Sequence, residues 1–160
     1  MLCLEYLELK NQSTDKGGDA VGPWVMGMGL FAVTILAHVA GFRLLLMLLD
    51  RWFPAEGHPR PGLGRVMIVA SLAIAILHHA EAALWAAVYI RLGVLTDWDT
   101  AVYFSIVTMT TVGYGDVTLS GGWRVLAAFQ AMNGMLLSGL STAFLFAVLQ
   151  QYWVLVRKSG

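Results

Sequence analysis

Residues 110–116 read TTVGYGD, and they stand in the most apolar half of a chain of 160 residues that is 58% hydrophobic and 12% charged. Two threonines, two glycines and an aspartate are not what fills a hydrophobic core. What lies on either side decides the setting. Three stretches, from Trp24 to Leu49, from Val66 to Ile90 and from Val125 to Val156, are long and apolar enough to cross a bilayer, which takes about 20 residues at ~1.5 Å per residue. With a mean hydropathy of +0.70, the composition is that of an all-α membrane protein. The formal net charge of zero gives no reason to expect nucleic acid as a partner. A single cysteine, Cys3, excludes an intrachain disulfide framework and a multi-thiolate metal site. The first 22 residues carry Glu5 and Glu8 among leucines and lack a basic start, so they read as mature protein and not as a secretory signal.

Charge sets the orientation. The connector DRWFPAEGHPRPGLGR holds Arg51, Arg60 and Arg65, with Arg43 just before it, and the tail holds Arg157 and Lys158. Both are expected on the cytoplasmic side, with the N-terminus outside and membrane lipid around the spans. The prolines and glycines of the connector stop both flanking helices. Trp24, Trp52, Tyr89, Trp123 and Trp153 fall near segment ends, as interfacial aromatics do.

Between the second and third spans, DWDTAVYFSIVTM offers Asp97 or Asp99 as an N-cap and then about 12 residues of helix. This is too short to cross a bilayer, so it enters and stops. Irregular backbone at membrane depth survives only where protein or water surrounds it, so the segment is expected to line a cavity. The negative pole of the helix favours a cation at its carboxyl end. Glycine tolerates positive φ, and alternating it with other residues through Thr111, Val112, Gly113, Tyr114 and Gly115 turns successive carbonyls to one side. A row of oxygens results, with the Thr111 hydroxyl at its inner end, able to replace the water around a monovalent cation. One chain gives one wall, and rotational symmetry must supply the others.

The string TMTTVGYGD resembles the selectivity-filter signature of the potassium channel family, and the resemblance extends over roughly residues 66–150. It implies a homotetramer and a pore domain over 66–156, with an outer helix at 66–90, a pore helix at 98–109, a filter at 110–116 and an inner helix at 123–156. Ahead of it stand an extracellular segment (1–22), an additional transmembrane helix (23–49) and a cytoplasmic linker (50–65). The resemblance further implies K+ bound by carbonyls of Thr111, Val112, Gly113 and Tyr114, with Gly115 completing the filter and Thr110 supporting it. Asp116 matches the family's aspartate behind the outer mouth, and Tyr103 stands where an aromatic of the pore helix braces it. No organic cofactor and no catalytic chemistry are implied. Compact pores of this kind resemble bacterial ones, in the cell membrane.

On the inner helix, Gly134 falls where the family often has a gating hinge, although small residues such as Gly134 and Gly139 equally serve close helix packing. Met135, Ser138 and Thr142 recur at steps of three and four and share a face. Aligned on the filter, that face is expected to look into the cavity. Phe144 or Phe146 is then a candidate hydrophobic gate, and Phe146, the lower of the two, is taken as that residue. The additional span has one arginine, Arg43, and no arginine ladder, so steep voltage gating is not expected.

The second span contains LHHAEAALW. His38 and His78 come within about one helical turn of the same depth, and Glu81 lies one turn outward. Ionisable residues inside a membrane are costly and face protein or water. A proton-sensitive cluster of His38, His78 or His79, and Glu81 is one reading; a zinc site from the same residues is a second; an uncharged contact between helices is the third. The expectation is a potassium-selective channel, modulated by pH if the cluster titrates. The alternative is a non-conducting regulatory or structural subunit on the same fold.

Overall fold

A computed structural model describes residues 21–52 and 62–157, with side chains as far as Gln151. The expectations for residues 1–20 and for most of the connector lie outside the described residues.

Among the described residues four α-helices carry the fold: α1 Gly22–Trp52, α2 Leu63–Arg91, α3 Trp98–Met109 and α4 Arg124–Arg157. A 3₁₀ turn, Gly121–Trp123, leads into α4. The third long helix is therefore entered through a tighter turn, where a helix from 123 was expected. Helices at Gly22–Trp52, Leu63–Arg91 and Gly121–Gln151 are long and apolar enough to cross a membrane. In hydrocarbon every peptide group must be satisfied within its own segment, which is why β-branched residues in these stretches still form helix.

The ends of the helices follow from local chemistry. Pro23 sits in the first turn of α1, where its missing N–H costs nothing. After α2, Gly93 takes φ +65, its N–H donating to the Ile90 carbonyl at 3.0 Å and the Val94 N–H to Tyr89 at 3.0 Å. That pair of bonds is a Schellman stop, and glycine is there because the position is left-handed. Of the two aspartates, Asp97 is the cap of α3 and Asp99 lies in its first turn. The Asp97 carboxylate accepts from the Thr100 N–H at 2.8 Å and the Thr100 hydroxyl at 2.7 Å. These bonds to the charged form hold its carboxyl below the usual carboxylate range.

α1 buries one stripe: Gly27, Thr34, His38, Leu45 and Leu49. Steps of seven and four keep a seam facing a neighbour along a whole helix. The two polar members of that stripe, Thr34 and His38, are fully buried.

The chain packs as two units. The first comprises residues up to Val33 together with Ala82–Met135. In it Trp85, Tyr89, Ala101 and Leu126 are wholly buried, and the Tyr89 and Phe104 rings meet edge to face at 5.4 Å. The Tyr89 hydroxyl donates to Gln130 Oε1 at 2.8 Å, and Gln130 Nε2 donates to the Ser105 carbonyl at 3.4 Å. These bonds tie α2, α3 and α4 together through groups that would otherwise be unsatisfied away from water. Trp24 meets Phe129 edge to face at 5.8 Å, and Phe129 also fills the space a side chain at Gly27 would need.

The second unit comprises Thr34–Glu81 and the chain from Leu136 on. Leu45, Leu49, Val66, Ala70, Ile74 and Val148 form its core, with Phe42 stacked on Phe144 at 4.3 Å. Phe144 is thus engaged in core packing, while Phe146 is 57% exposed.

Candidate functional site

The loop 110–116 is built by the end of α3. The Thr110 N–H donates to Ile106 and the Thr111 N–H to Thr108, each at 3.0 Å, while Val112 and Gly113 N–H groups turn back to the Val107 carbonyl at 3.1 and 3.3 Å. The first amides of the loop are therefore spent on the helix's last carbonyls. Beyond them the backbone alternates: Thr111 has φ 60, Gly113 φ 53 and Gly115 φ 81, with Val112 and Tyr114 between them outside the positive region. Every second residue being left-handed is what brings neighbouring carbonyls toward one side of an extended chain. Two of the three positions are glycine. The third is Thr111, a β-branched residue in a region such residues avoid, held there by the bond to Thr108.

All residues from Thr110 to Asp116 are exposed in the single chain, Val112 by 52% and Tyr114 by 72%. A cavity of about 700 Å³ lies beside the loop, lined by Tyr103, Phe104 and Val107 of α3, by the loop from Gly113 onward and by Ala127 of α4. The Tyr103 hydroxyl donates to Asp116 Oδ2 at 2.7 Å, and the Val117 N–H donates to Asp116 Oδ1 at 3.0 Å. The Tyr103 bond, first, holds the Asp116 carboxyl below its ordinary range and raises Tyr103 above its own.

Gly134 lies directly against the carboxyl end of α3. A Cβ there would run into the Met109 carbonyl and come within 2.6 Å of the Met109 Cα. Of the two readings of this glycine, close packing is the one with a contact behind it. Around Gly139 a Cβ would meet nothing within 4 Å. Met135, Ser138, Gly139, Thr142 and Phe146 share one exposed stripe of α4, which also includes Met132, and the Thr142 hydroxyl donates to the Ser138 carbonyl at 3.0 Å.

In the second unit, His38 of α1, His78 and Glu81 of α2 and Ser141 of α4 come together. His38 Nδ1 is 2.9 Å from Glu81 Oε1, and both His38 Nε2 and His78 Nε2 reach the Ser141 hydroxyl, at 3.2 and 3.0 Å. The imidazoles of His38 and His78 are 5.2 Å apart. His79 is not part of this group: one residue on, it is turned about 100° around the helix. It is exposed, and its ring lies 2.7 Å from the Ala75 carbonyl. Among the described residues no set of three or more His, Cys, Asp or Glu is arranged to hold a metal ion, which removes support from the zinc reading. Ser141 was not marked by the sequence, because a lone serine in an apolar helix carries no pattern. Its only signal is that it shares a side of α4 with Phe144, toward α1.

The ion channel family matches residues 66–151. Two-pore potassium channel 1 of Arabidopsis thaliana is 52% identical over 60 residues, which is 36% of this chain and 16% of that protein. The match thus spans under a fifth of that relative's length. No solved structure matches the chain.

Proposed function

The chain belongs to the ion channel family that its residues 66–151 match, and on that premise we propose that it is a potassium-selective channel through which K+ passes down its electrochemical gradient. The observation that carries the reading is the alternation at Thr111, Gly113 and Gly115 at the carboxyl end of α3. It gives successive carbonyls of Thr111, Val112, Gly113 and Tyr114 one side to face, and the negative pole of α3 favours a cation before them. K+ is the permeant ion of this proposal, and the relative in Arabidopsis is named for potassium.

The pore is a homotetramer. One loop supplies one wall, and exposed Val112 and Tyr114 together with the open cavity beside them are apolar surface that neighbouring copies would cover. Tyr103 braces Asp116 behind the mouth. The exposed stripe of Met135, Ser138, Gly139 and Thr142 faces the inner cavity, with Phe146 at its narrow end. The membrane is the cell membrane, with the N-terminus outside and the tail carrying Arg157 and Lys158 inside. Conduction is modulated by pH through His38, His78 and Glu81. The test is cation flux from liposomes holding the purified chain, with K+ against Na+ and Ba²⁺ as blocker, alongside the mass of the assembled particle. Potassium-selective, Ba²⁺-sensitive flux from a tetramer is the expected result. An assembled protein passing Na+ as readily as K+ would overturn it.

A further inference from the structure

Among the described residues, the group of titratable side chains furthest from any role in the loop is that of His38, His78 and Glu81, closed by Ser141. Going round it, Glu81 Oε1 lies 2.9 Å from His38 Nδ1, His38 Nε2 lies 3.2 Å from Ser141 Oγ, Ser141 Oγ lies 3.0 Å from His78 Nε2, and His78 Nδ1 lies 3.7 Å from Glu81 Oε2. The last separation is longer than a hydrogen bond, and Glu81 Oε2 makes none. The four side chains nonetheless form a ring of four edges. His38 is 0%, Glu81 3% and Ser141 5% exposed, while His78 is 25% exposed, so in the single chain water reaches the ring only from the His78 side.

Protons can be counted around this ring. Each edge joins two atoms that both carry lone pairs, so one proton along each of the three short edges makes its hydrogen bond, and one along the 3.7 Å edge removes the repulsion of lone pairs that face each other there. A carboxylate, two neutral imidazoles and one hydroxyl supply three. One edge is then left with lone pairs face to face, whichever way round the donors run. A fourth proton completes the ring in either sense, and a fifth has no edge to occupy. The complete ring is also the neutral one. Glu81 belongs to a helix long and apolar enough to cross a membrane, where a neutral acid is far less costly than a bare carboxylate.

We propose that Glu81, His38, Ser141 and His78 form a proton-binding site that holds one proton on Glu81, and that loss of this proton loosens the hold of α1 on α4 and changes flux through the pore. His38 is the only titratable group on α1 that faces the ring. From α2 come His78 and Glu81, His79 being turned to the Ala75 carbonyl. α4 contributes Ser141 and carries no charged residue between Val125 and Val156. The remaining neighbour of the His38 ring is Phe42, edge to face at 4.4 Å. Losing the fourth proton leaves a buried negative charge and one broken edge, and the side chains that must rearrange are those joining α1 and α2 to α4. The flux half of the proposal rests on the channel reading; the proton half does not.

Two measurements on the full chain in liposomes test it. In infrared difference spectra, a protonated-carboxyl band disappears as pH rises and is missing from Glu81→Gln. Flux measured between about pH 5 and 9 changes about fivefold or more in the unmodified chain. In E81Q it stays at the low-pH level throughout, because the amide oxygen accepts from His38 while the amide nitrogen donates toward His78, as the protonated acid does. His79→Gln keeps the pH dependence. Should E81Q not assemble, Ser141→Ala, which removes the hydroxyl shared by two edges, is expected to shift the carboxyl band and flatten the flux curve. Absence of a Glu81 carboxyl band, or a pH curve in E81Q like that of the unmodified chain, overturns the proposal. A chain that passes no cation at any pH counts against the channel reading, and the infrared band still decides the proton site.

Discussion

The loop at 110–116 and the ring at His38, His78, Glu81 and Ser141 are both polar insertions in an apolar chain, and they are written in different ways. The loop is written in backbone angles: three left-handed residues in five, set by an adjoining helix end within a few residues. The ring is written in side chains from three helices, with partners 43, 63 and 103 positions apart in the sequence. A local device survives as a readable string. A distributed one leaves only isolated polar residues, each of which admits an ordinary explanation.

The largest effect that would break this contrast is expected at Gly113. With φ 53, Gly113→Ala puts an L-residue where it costs about 1–2 kcal/mol, and we expect selective flux to be lost while the assembled mass is unchanged. Retained selectivity in G113A would mean the backbone alternation is not what the loop depends on. Next comes Gly134→Ala. Its Cβ runs into the Met109 backbone, so thermal stability of the assembly should fall by about 1–3 kcal/mol, whereas Gly139→Ala, with open space around it, should leave stability near that of the unmodified chain. Equal melting of the two variants would remove the close-packing account of Gly134.

Tyr103→Phe is smaller and concerns pH. The Tyr103 hydroxyl holds the Asp116 carboxyl low, so its contribution to stability is present above the ordinary carboxylate range and is lost as pH falls through the depressed folded value. In Y103F the Asp116 titration should move up toward the ordinary range, read by carboxyl infrared or carbon NMR, and the acid end of the stability curve should weaken at higher pH. An unmoved Asp116 titration would detach the brace from the loop. The smallest effect belongs to Ser141→Ala, for which loss of hydrogen bonds between helices in a membrane is worth on the order of 0.6 kcal/mol. Its stability change should be slight even though it alters the pH response.

Much of the fold was legible because the bilayer imposes it. Span length and apolarity mark three helices with no help from packing. The loop was legible because glycine at every second position has few other uses, yet Thr111 was read for its hydroxyl, and nothing in a threonine announces φ 60. The choice between His78 and His79 could not be made from composition, since adjacent residues differ only in the direction they take around the helix. Gln130 and Ser141 were missed for a related reason: single polar residues in an apolar helix acquire meaning only from partners on other helices, Tyr89 and Ser105 in one case, His38 and His78 in the other.

The most direct test of the proposed function is the ratio of K+ to Na+ flux from liposomes carrying the purified, assembled chain, with and without Ba²⁺. We expect flux that favours K+ strongly, is blocked by Ba²⁺ and disappears in G113A. Flux that does not distinguish the two ions, or that G113A leaves intact, would contradict the assignment of the 110–116 carbonyls as the selective element.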